Sequence, residues 1–147
     1  MDRPPLDDVV RTCIALRVRL LNRVITNLYD DALRPLDLKV SQLNLLVVTA
    51  KLGVAQPAKV CDILQLDAST LSRNVERMRA NGWLEAVPAA DGRAQPFRLT
   101  AQGRKLLARA IPAWERAQRR ATGVLGKEAV ALLNEAAGRL EVLPTDV

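Results

Sequence analysis

Residues 67–85 read DASTLSRNVERMRANGWLE, and this segment decides the fold. On a helical projection of about 100° per residue, Leu71, Val75 and Met78 share one side. Asp67 is suited to cap the start of such a helix. The segment therefore predicts a short helix with a narrow apolar face and a wide polar face. The polar side chains on or beside that wide face are Ser69, Thr70, Ser72, Arg73, Asn74, Glu76 and Arg77.

A second short helix is predicted immediately before this one. Pro57 is suited to its first turn, and Val60 and Ile63 belong to its apolar side. The residues LQLD, at 64–67, then form a tight turn. Two short helices joined by a brief turn are the helix-turn-helix pattern, whose second helix binds in the major groove of DNA.

The pattern changes after the second helix. Two short extended segments, at about 84–87 and 97–99, lie on either side of Asp91-Gly92, which is a strong turn signal. Arg93 follows that turn directly. We expect a small hairpin with a polar tip that carries an arginine.

Longer helices are predicted before the helix-turn-helix. Residues 6–33 have apolar positions at three- and four-residue steps, on more than one face, which favours contact with more than one neighbour, such as a second subunit. Pro35 ends this helix. Ser41 is the predicted N-cap of the next helix, which should end near Gly53.

Two more helices are predicted after the hairpin. Thr100 should cap a helix that runs to about Thr122 and is kinked at Pro112. Gly123 and Gly126 should break the chain before a last helix at about 127–142.

Composition excludes several functional classes. The chain has 147 residues, a formal net charge of +6 and no histidine, so it lacks the commonest general base and metal ligand. We therefore expect neither an enzyme nor a metal or other cofactor. Two cysteines are too few for a disulfide framework, and neither a signal peptide nor an apolar run of about 18 residues is present. A cytoplasmic protein is expected.

The order of these segments resembles the MarR family of bacterial transcription regulators. DGRAQPFRLTAQG, at 91–103, is similar to that family's wing signature, and STLSRNVERMRANGWLE, at 69–85, to its recognition helix and first wing strand. The resemblance implies one mainly α domain over 1–147, a winged helix-turn-helix with a small β-hairpin wing. Its DNA-binding lobe would span 34–100, and its dimerisation helices would span 6–33 and 101–143.

Membership would further imply a homodimer that binds a pseudo-palindromic operator on double-stranded DNA and usually represses. Many such proteins release DNA when a small anionic or phenolic effector binds. In this chain Asp91 would position the wing arginine. The predicted DNA-binding residues are Ser69, Thr70, Ser72, Arg73, Asn74, Arg77 and Arg93.

Two alternatives stay open at this point. Residues 67–99 contain five arginines and four acids, whereas 101–120 contain six basic residues and one acid. This low charge around the predicted DNA-binding helix favours a helical dimer that binds a ligand or a protein and has weak DNA affinity. The other alternative is a redox-sensing regulator, since some MarR-like sensors use a cysteine in the first helix, where Cys13 lies. Such sensors also need polar partners such as tyrosine, and Tyr29 is the only tyrosine.

Overall fold

The fold is mainly helical with one small hairpin, as the sequence predicts. The structure, a computed structural model, describes residues 5–89 and 94–140. A single turn of 3-10 helix, Arg34–Leu36, follows the second α-helix. The elements are α1 (Pro5–Thr12), α2 (Ile14–Leu33), α3 (Val40–Leu52), α4 (Pro57–Leu64), α5 (Ala68–Ala80), β1 (Leu84–Ala86), β2 (Phe97–Leu99), α6 (Ala101–Leu125) and α7 (Lys127–Arg139).

The hydrophobic core lies where α3, α4, α5, the hairpin and the first half of α6 meet. Helix α5 contributes Leu71 and Met78 to this core, and these residues are 2% and 0% exposed. Val75 packs against the same core and is half-buried. The narrow apolar face predicted for α5 is therefore confirmed, and its burial leaves the polar face outside.

The hairpin is antiparallel and short. Leu84 pairs with Leu99, Glu85 with Arg98 and Ala86 with Phe97. A third backbone segment extends this ladder, because the Ala55 N–H donates to the Phe97 carbonyl at 2.8 Å and the Ala55 carbonyl accepts from the Phe97 N–H at 3.1 Å. The hairpin is thus fixed to the loop between α3 and α4.

The longest helix, α6, packs mainly against α2. Its buried positions in this region are occupied by small residues, which let the two helix backbones approach closely. The Tyr29 hydroxyl of α2 donates to the Gln118 side chain of α6. These two helices therefore form one rigid support beside the helix-turn-helix. The buried alanines of α6 are Ala110, Ala113, Ala117 and Ala121.

The expected single helix over 6–33 is wrong in one respect, because the structure contains two helices with a break at Cys13. Cys13 has an extended backbone, with ψ of 111°, and its sulfur accepts from Leu16 N–H at 3.4 Å. The Arg17 guanidinium donates to the carbonyl oxygens of Val10 and Cys13 across the break. The Cys13 sulfur thus replaces a backbone carbonyl as the acceptor for the Leu16 amide. The apolar periodicity of the sequence cannot indicate such a replacement.

Two other boundaries also differ from the prediction. Ser41 lies inside α3, whose N-cap is Lys39, so the predicted serine cap is wrong. The first amides are satisfied instead by Gln42, which accepts from Lys39 N–H at 2.9 Å, and by Asp30, which accepts from Val40 N–H at 2.8 Å. Gly123 does not break α6, which continues to Leu125 and ends at Gly126, where φ is 84°.

Candidate nucleic-acid interface

The candidate interface is the polar face of α5. Ser69, Ser72, Arg73 and Arg77 are exposed there, and Thr70 and Asn74 are half-buried. The apolar side of α5 faces the core, so the four exposed side chains point away from the protein, whereas Thr70 and Asn74 lie at the edges of the polar face. The structure therefore brings six of the seven predicted DNA-binding residues onto one helix. The seventh, Arg93, and the predicted wing-positioning residue Asp91 lie outside the described residues.

A network of hydrogen bonds organises the start of α5. One carboxylate oxygen of Asp67 accepts from the Ser69 hydroxyl and from Thr70 N–H, each at 2.7 Å. The other oxygen accepts from the Thr70 hydroxyl at 2.9 Å. Asp67 is therefore the N-cap of α5, as predicted, and both hydroxyl protons at the helix start are already donated to it.

These hydrogen bonds change the acidity of Asp67. Donation from the Ser69 hydroxyl, then from the Thr70 backbone and hydroxyl, lowers the pKa of Asp67 from 3.8 to about 2. The cap is thus ionised at neutral pH, and it places a negative charge beside the predicted phosphate contacts. Sequence reasoning identified the cap but missed that the cap and the phosphate backbone would compete for the same two hydroxyls.

The charged residues of α5 differ in the contacts that they make. Arg73 Nη2 lies 3.4 Å from the Thr70 hydroxyl, so its side chain lies along the start of the helix. Glu76 forms an ion pair with Arg79, with 3.1 Å between Oε1 and Nη1. Glu76 therefore has its partner in Arg79, and Arg73 stays available on the polar face. Arg77 lies beside Lys39 and Asn81 near the start of α3.

The end of α5 is fixed to the start of α6. The Thr100 hydroxyl donates to the Gly82 carbonyl at 2.6 Å and accepts from Gly103 N–H at 3.0 Å. A Cβ at position 103 would lie only 2.1 Å from the Trp83 carbonyl oxygen, so only glycine fits. The sequence motif contained Thr100 and Gly103, but the motif did not reveal that they orient the recognition helix.

The described part of the wing carries one cross-strand ion pair. Arg98 Nε lies 2.6 Å from Glu85 Oε1, and these two residues are direct partners in the hairpin. Arg98 is therefore neutralised by its own strand partner. Of the wing arginines, only Arg93 at the tip, outside the described residues, is predicted to contact DNA.

The basic residues of α6 are all exposed. Arg104 Nη1 donates to the Leu99 carbonyl at 3.0 Å, which anchors it beside β2. None of the ion pairs found among the described residues involves the basic side chains of α6. The basic residues are Arg104, Lys105, Arg109, Arg116, Arg119 and Arg120.

The two cysteines lie in different places: Cys13 is at the start of α2, whereas Cys61 is on α4, which packs against α5. Cys13 caps the start of α2, and both Cys13 and Cys61 are free thiols that are partly buried. Tyr29 donates its hydroxyl to Gln118 rather than to a sulfur, and burial raises its pKa above 10.0. Within residues 5–89 and 94–140, no three Cys, Asp or Glu side chains form a metal-binding group. A redox role for Cys13 stays a prediction.

Comparison with known proteins identifies the family. The model of the MarR family matches residues 36–94, which contain α3 to α5 and the first wing strand. The transcriptional regulator MOSR of M. tuberculosis, solved in complex with DNA, is 30% identical to this chain. That match covers 88% of this chain and 98% of MOSR, with a TM-score of 0.73. The chain belongs to the MarR family.

Other MarR proteins are similar to this chain at lower identity. MarR of Salmonella typhimurium, named a multiple antibiotic resistance protein, is 28% identical over 87 residues. That match spans 58% of this chain and 60% of the relative's length. A mutant of E. coli MarR complexed with operator DNA is 19% identical, covers 90% of this chain and 96% of its own, and has a TM-score of 0.78. This last likeness shows the winged helix-turn-helix fold.

Along residues 5–89 and 94–140 of this MarR-family chain, no helix combines the length and the low polarity that crossing a bilayer requires.

Proposed function

We propose that this MarR-family protein is a sequence-specific DNA-binding transcriptional regulator that acts as a homodimer. The observation that carries the proposal is the division of α5 into two faces. Leu71 and Met78 are buried in the core, while Arg73 and its polar neighbours are exposed on the other side. A helix of this kind, second in a helix-turn-helix, is suited to enter the major groove.

The proposed roles follow from side-chain chemistry. Arg73 would donate two hydrogen bonds to a guanine edge, which selects sequence. Ser69, Thr70 and Ser72 would contact phosphates, which fix the position of the helix but carry no sequence information. Because the hydroxyls of Ser69 and Thr70 donate to Asp67, phosphate contact there requires the Asp67 hydrogen bonds to rearrange. Asn74 and Arg77 extend the same surface.

The wing supplies the second proposed contact. Arg93 would reach the adjacent minor groove, whose negative potential attracts a guanidinium group. Asp91 would hold the turn and orient that arginine. Gln95 and Pro96 stand where many family members have another basic residue, so the wing should contribute less affinity than in those relatives.

Dimerisation is supported by exposed apolar side chains on the helices outside the DNA-binding lobe. Ile14 is 77% exposed, and several more large apolar residues of α1, α2 and α7 are also exposed. Such a surface on one protomer is typical of a subunit interface. We propose that helices within 6–33 and 101–143 pair two subunits, and that 34–100 forms the DNA-binding lobe.

A two-fold dimer dictates the form of the DNA site. Its two recognition helices should bind half-sites about 10 base pairs apart in a pseudo-palindromic operator. We propose repression as the outcome and relief of repression by a small-molecule effector as its control. This role places the protein in the cytoplasm and requires no catalytic group.

The test is DNA binding at defined salt. The protein is titrated against a fluorescent duplex from the region upstream of its own gene, with an unrelated duplex as competitor. We expect preferential binding to the upstream duplex and weakening with rising salt, because phosphate contacts release counterions. Absence of binding by the wild-type protein at low salt would instead support the alternative, a helical dimer that binds ligands or proteins. The balance of five arginines and four acids over 67–99 favours that alternative.

A further inference from the structure

One side of α6 carries a row of exposed basic side chains. On a helical projection of about 100° per residue, their positions fall within a sector of about 60°. The row extends about 22 Å along the helix, at about 1.5 Å per residue. Glu115, the one acid of α6, lies outside that sector. The α6 basic row consists of Lys105, Arg109, Arg116 and Arg120.

The packing of α6 keeps this row on the outside of the protomer. Ala110, Ala113 and Ala117 lie on another side of the helix and are 0%, 4% and 0% exposed. The ion pairs found within 5–89 and 94–140 include no member of the row. The positive charges of the row therefore face outward, where a partner of opposite charge would meet them.

The recognition helix and the wing lack an equivalent excess of positive charge. Two of the five arginines in 67–99, Arg79 and Arg98, form ion pairs with glutamates of the same segment. Two others, Arg73 and Arg93, are proposed to enter the grooves rather than to contact phosphates. Neutralisation of phosphates supplies the sequence-independent part of DNA affinity. That part is therefore small for 67–99, and another surface has to supply it.

We propose that the α6 basic row binds the phosphate backbone of duplex DNA without regard to sequence, as a second contact beside α5 and the wing. The row begins close to both of them. Arg104, which precedes it, donates to the Leu99 carbonyl of β2 at 3.0 Å, and Gly103 lies against the Trp83 carbonyl beyond α5. A duplex presents about a dozen phosphate charges over about 22 Å of its axis, so its charge density is sufficient for every side chain of the row. This contact rests on the proposed function only in requiring that the protein binds DNA, and not that α5 selects a sequence.

An anionic membrane fits the row less well than DNA does. A helix that binds a bilayer inserts its apolar face into the lipid. The apolar residues of α6 are instead packed against protein, as Leu106 at 7% exposed and Ala113 at 4% exposed demonstrate. Acidic residues of a second subunit are the remaining candidate partner, and self-association distinguishes them from phosphates.

The direct test is the salt dependence of binding to the unrelated duplex, measured with the full-length protein. The row variant combines Arg109→Gln, Arg116→Gln and Arg120→Gln, which remove charge but keep good helix formers. The slope of log K against log salt should become shallower by about 2.7 for each subunit whose row contacts the duplex, because each phosphate contact contributes about 0.9. Affinity at low salt should fall at least tenfold.

A matched control removes the same net charge from another surface. Arg11→Gln, Arg19→Gln and Arg23→Gln combine three exposed positions of α1 and α2. This control variant should change the salt slope by less than about one, the contribution of a single phosphate contact. Equal changes of slope in the two triple variants would mean that net charge alone weakens binding, and they would overturn the proposal.

Sedimentation of the row variant tests the alternative partner. We expect it to self-associate as strongly as the wild-type protein. A tenfold weaker self-association that accompanies the loss of DNA binding would show that the row pairs with acids of a second subunit, and it would overturn the proposal.

Comparison of the upstream and unrelated duplexes separates this inference from the proposed function. If the wild-type protein binds both duplexes equally and the row variant loses affinity for both, only the proposed sequence-specific function is contradicted. If the wild-type protein prefers the upstream duplex and the row variant keeps the same salt slope, only this inference is contradicted. A wild-type protein that binds neither duplex at low salt contradicts both.

Discussion

The backbone of α6 at Gly103 approaches the carbonyl oxygen of Trp83 so closely that a Cβ there would lie 2.1 Å from it. Because Trp83 is only three residues beyond Ala80, the last residue of α5, this contact helps to fix the end of α5 against the long support helix. Thr100 reinforces it through its bond to the Gly82 carbonyl. The proposed recognition of DNA bases thus depends on Gly103, although Gly103 itself would not contact a base.

Gly103→Ala should therefore destabilise the protein and weaken DNA binding together. The added methyl group must displace the Trp83 carbonyl, and overpacking of this kind typically costs about 1–3 kcal/mol. Urea denaturation gives the free energy of unfolding, and duplex titration gives the affinity. Gly123→Ala is the matched control, since it lies in the same helix with nothing within 4 Å of its Cβ. That variant should be neutral or slightly stabilising; equal effects of the two would contradict the steric argument.

Asp67 should make stability depend on acid pH. Its pKa is lowered from 3.8 to about 2 in the folded protein, chiefly by the Ser69 hydroxyl. Because the pKa of Asp67 is lower in the folded than in the unfolded protein, ionisation of this carboxyl group stabilises the fold. The stabilisation is complete at pH values above the unfolded pKa of Asp67, which is about 3.9. That contribution is then lost as pH falls through about 2. Urea midpoints measured from pH 5 to pH 2 should fall more for wild type than for Asp67→Asn, whose amide still caps α5 but does not titrate there. Parallel curves would show that the cap contributes nothing through ionisation.

The same variant should also tighten DNA binding. Asp67→Asn removes a negative charge beside the proposed phosphate contacts and keeps an acceptor for the Thr70 amide. We expect higher affinity at low salt and a difference that shrinks as salt screens the charge. Asp8→Asn, on α1, is the control for net charge. An unchanged or weaker affinity would mean that the Asp67 network stays intact and does not face phosphate.

The helix-turn-helix was predictable because its signals are local. Periodicity placed Leu71 and Met78 inside, and Asp67, Pro57 and Gly53 marked helix ends through their own backbone and capping preferences. Those signals act within a few residues, so the printed sequence contains them in full. The predicted site residues on α5 follow from the same pattern, since the outer face of a helix is fixed once its inner face is known.

The wrong predictions of helix boundaries have two causes. Some depend on contacts between residues that are distant in sequence, and one depends on an unusual hydrogen-bond acceptor. Ser41 was a good local cap, but Asp30 from α2 satisfies the Val40 amide instead. The break at Cys13 depends on a sulfur acceptor, which the sequence pattern does not distinguish from an apolar side chain. Gly123 continues a helix because Ala121 and Ala117 are buried against neighbouring elements. Tertiary structure thus overrode a correct local preference at Ser41 and Gly123, whereas the break at Cys13 is itself local.

Replacement of Arg73 should reduce DNA affinity more than replacement of Arg79. Both variants, Arg73→Ala and Arg79→Ala, remove one positive charge from α5, so their effects on net charge are equal. Arg73 lies on the polar face, whereas Arg79 is paired with Glu76. Loss of one bidentate base contact costs about 1–3 kcal/mol of discrimination. Titration of the upstream and unrelated duplexes measures this discrimination. Equal losses of affinity for both duplexes would show that Arg73 contacts phosphate and not a base.

Ile14→Asp should dissociate the proposed dimer without unfolding the protomer. Ile14 is 77% exposed in the protomer, so a charge there costs little until a second subunit covers it. In a two-fold interface both subunits contribute the same residue. Ile14→Asp would therefore remove two buried isoleucine side chains from the interface and bury two charges there. Sedimentation across a range of concentrations should show a dimer for wild type and at least a tenfold weaker association for the variant. Val54→Asp, at a position 44% exposed in the DNA-binding lobe, is the control and should remain dimeric. A monomeric wild-type protein would contradict the proposed dimer. A variant that associates as strongly as wild type would show that this part of α2 does not belong to the interface.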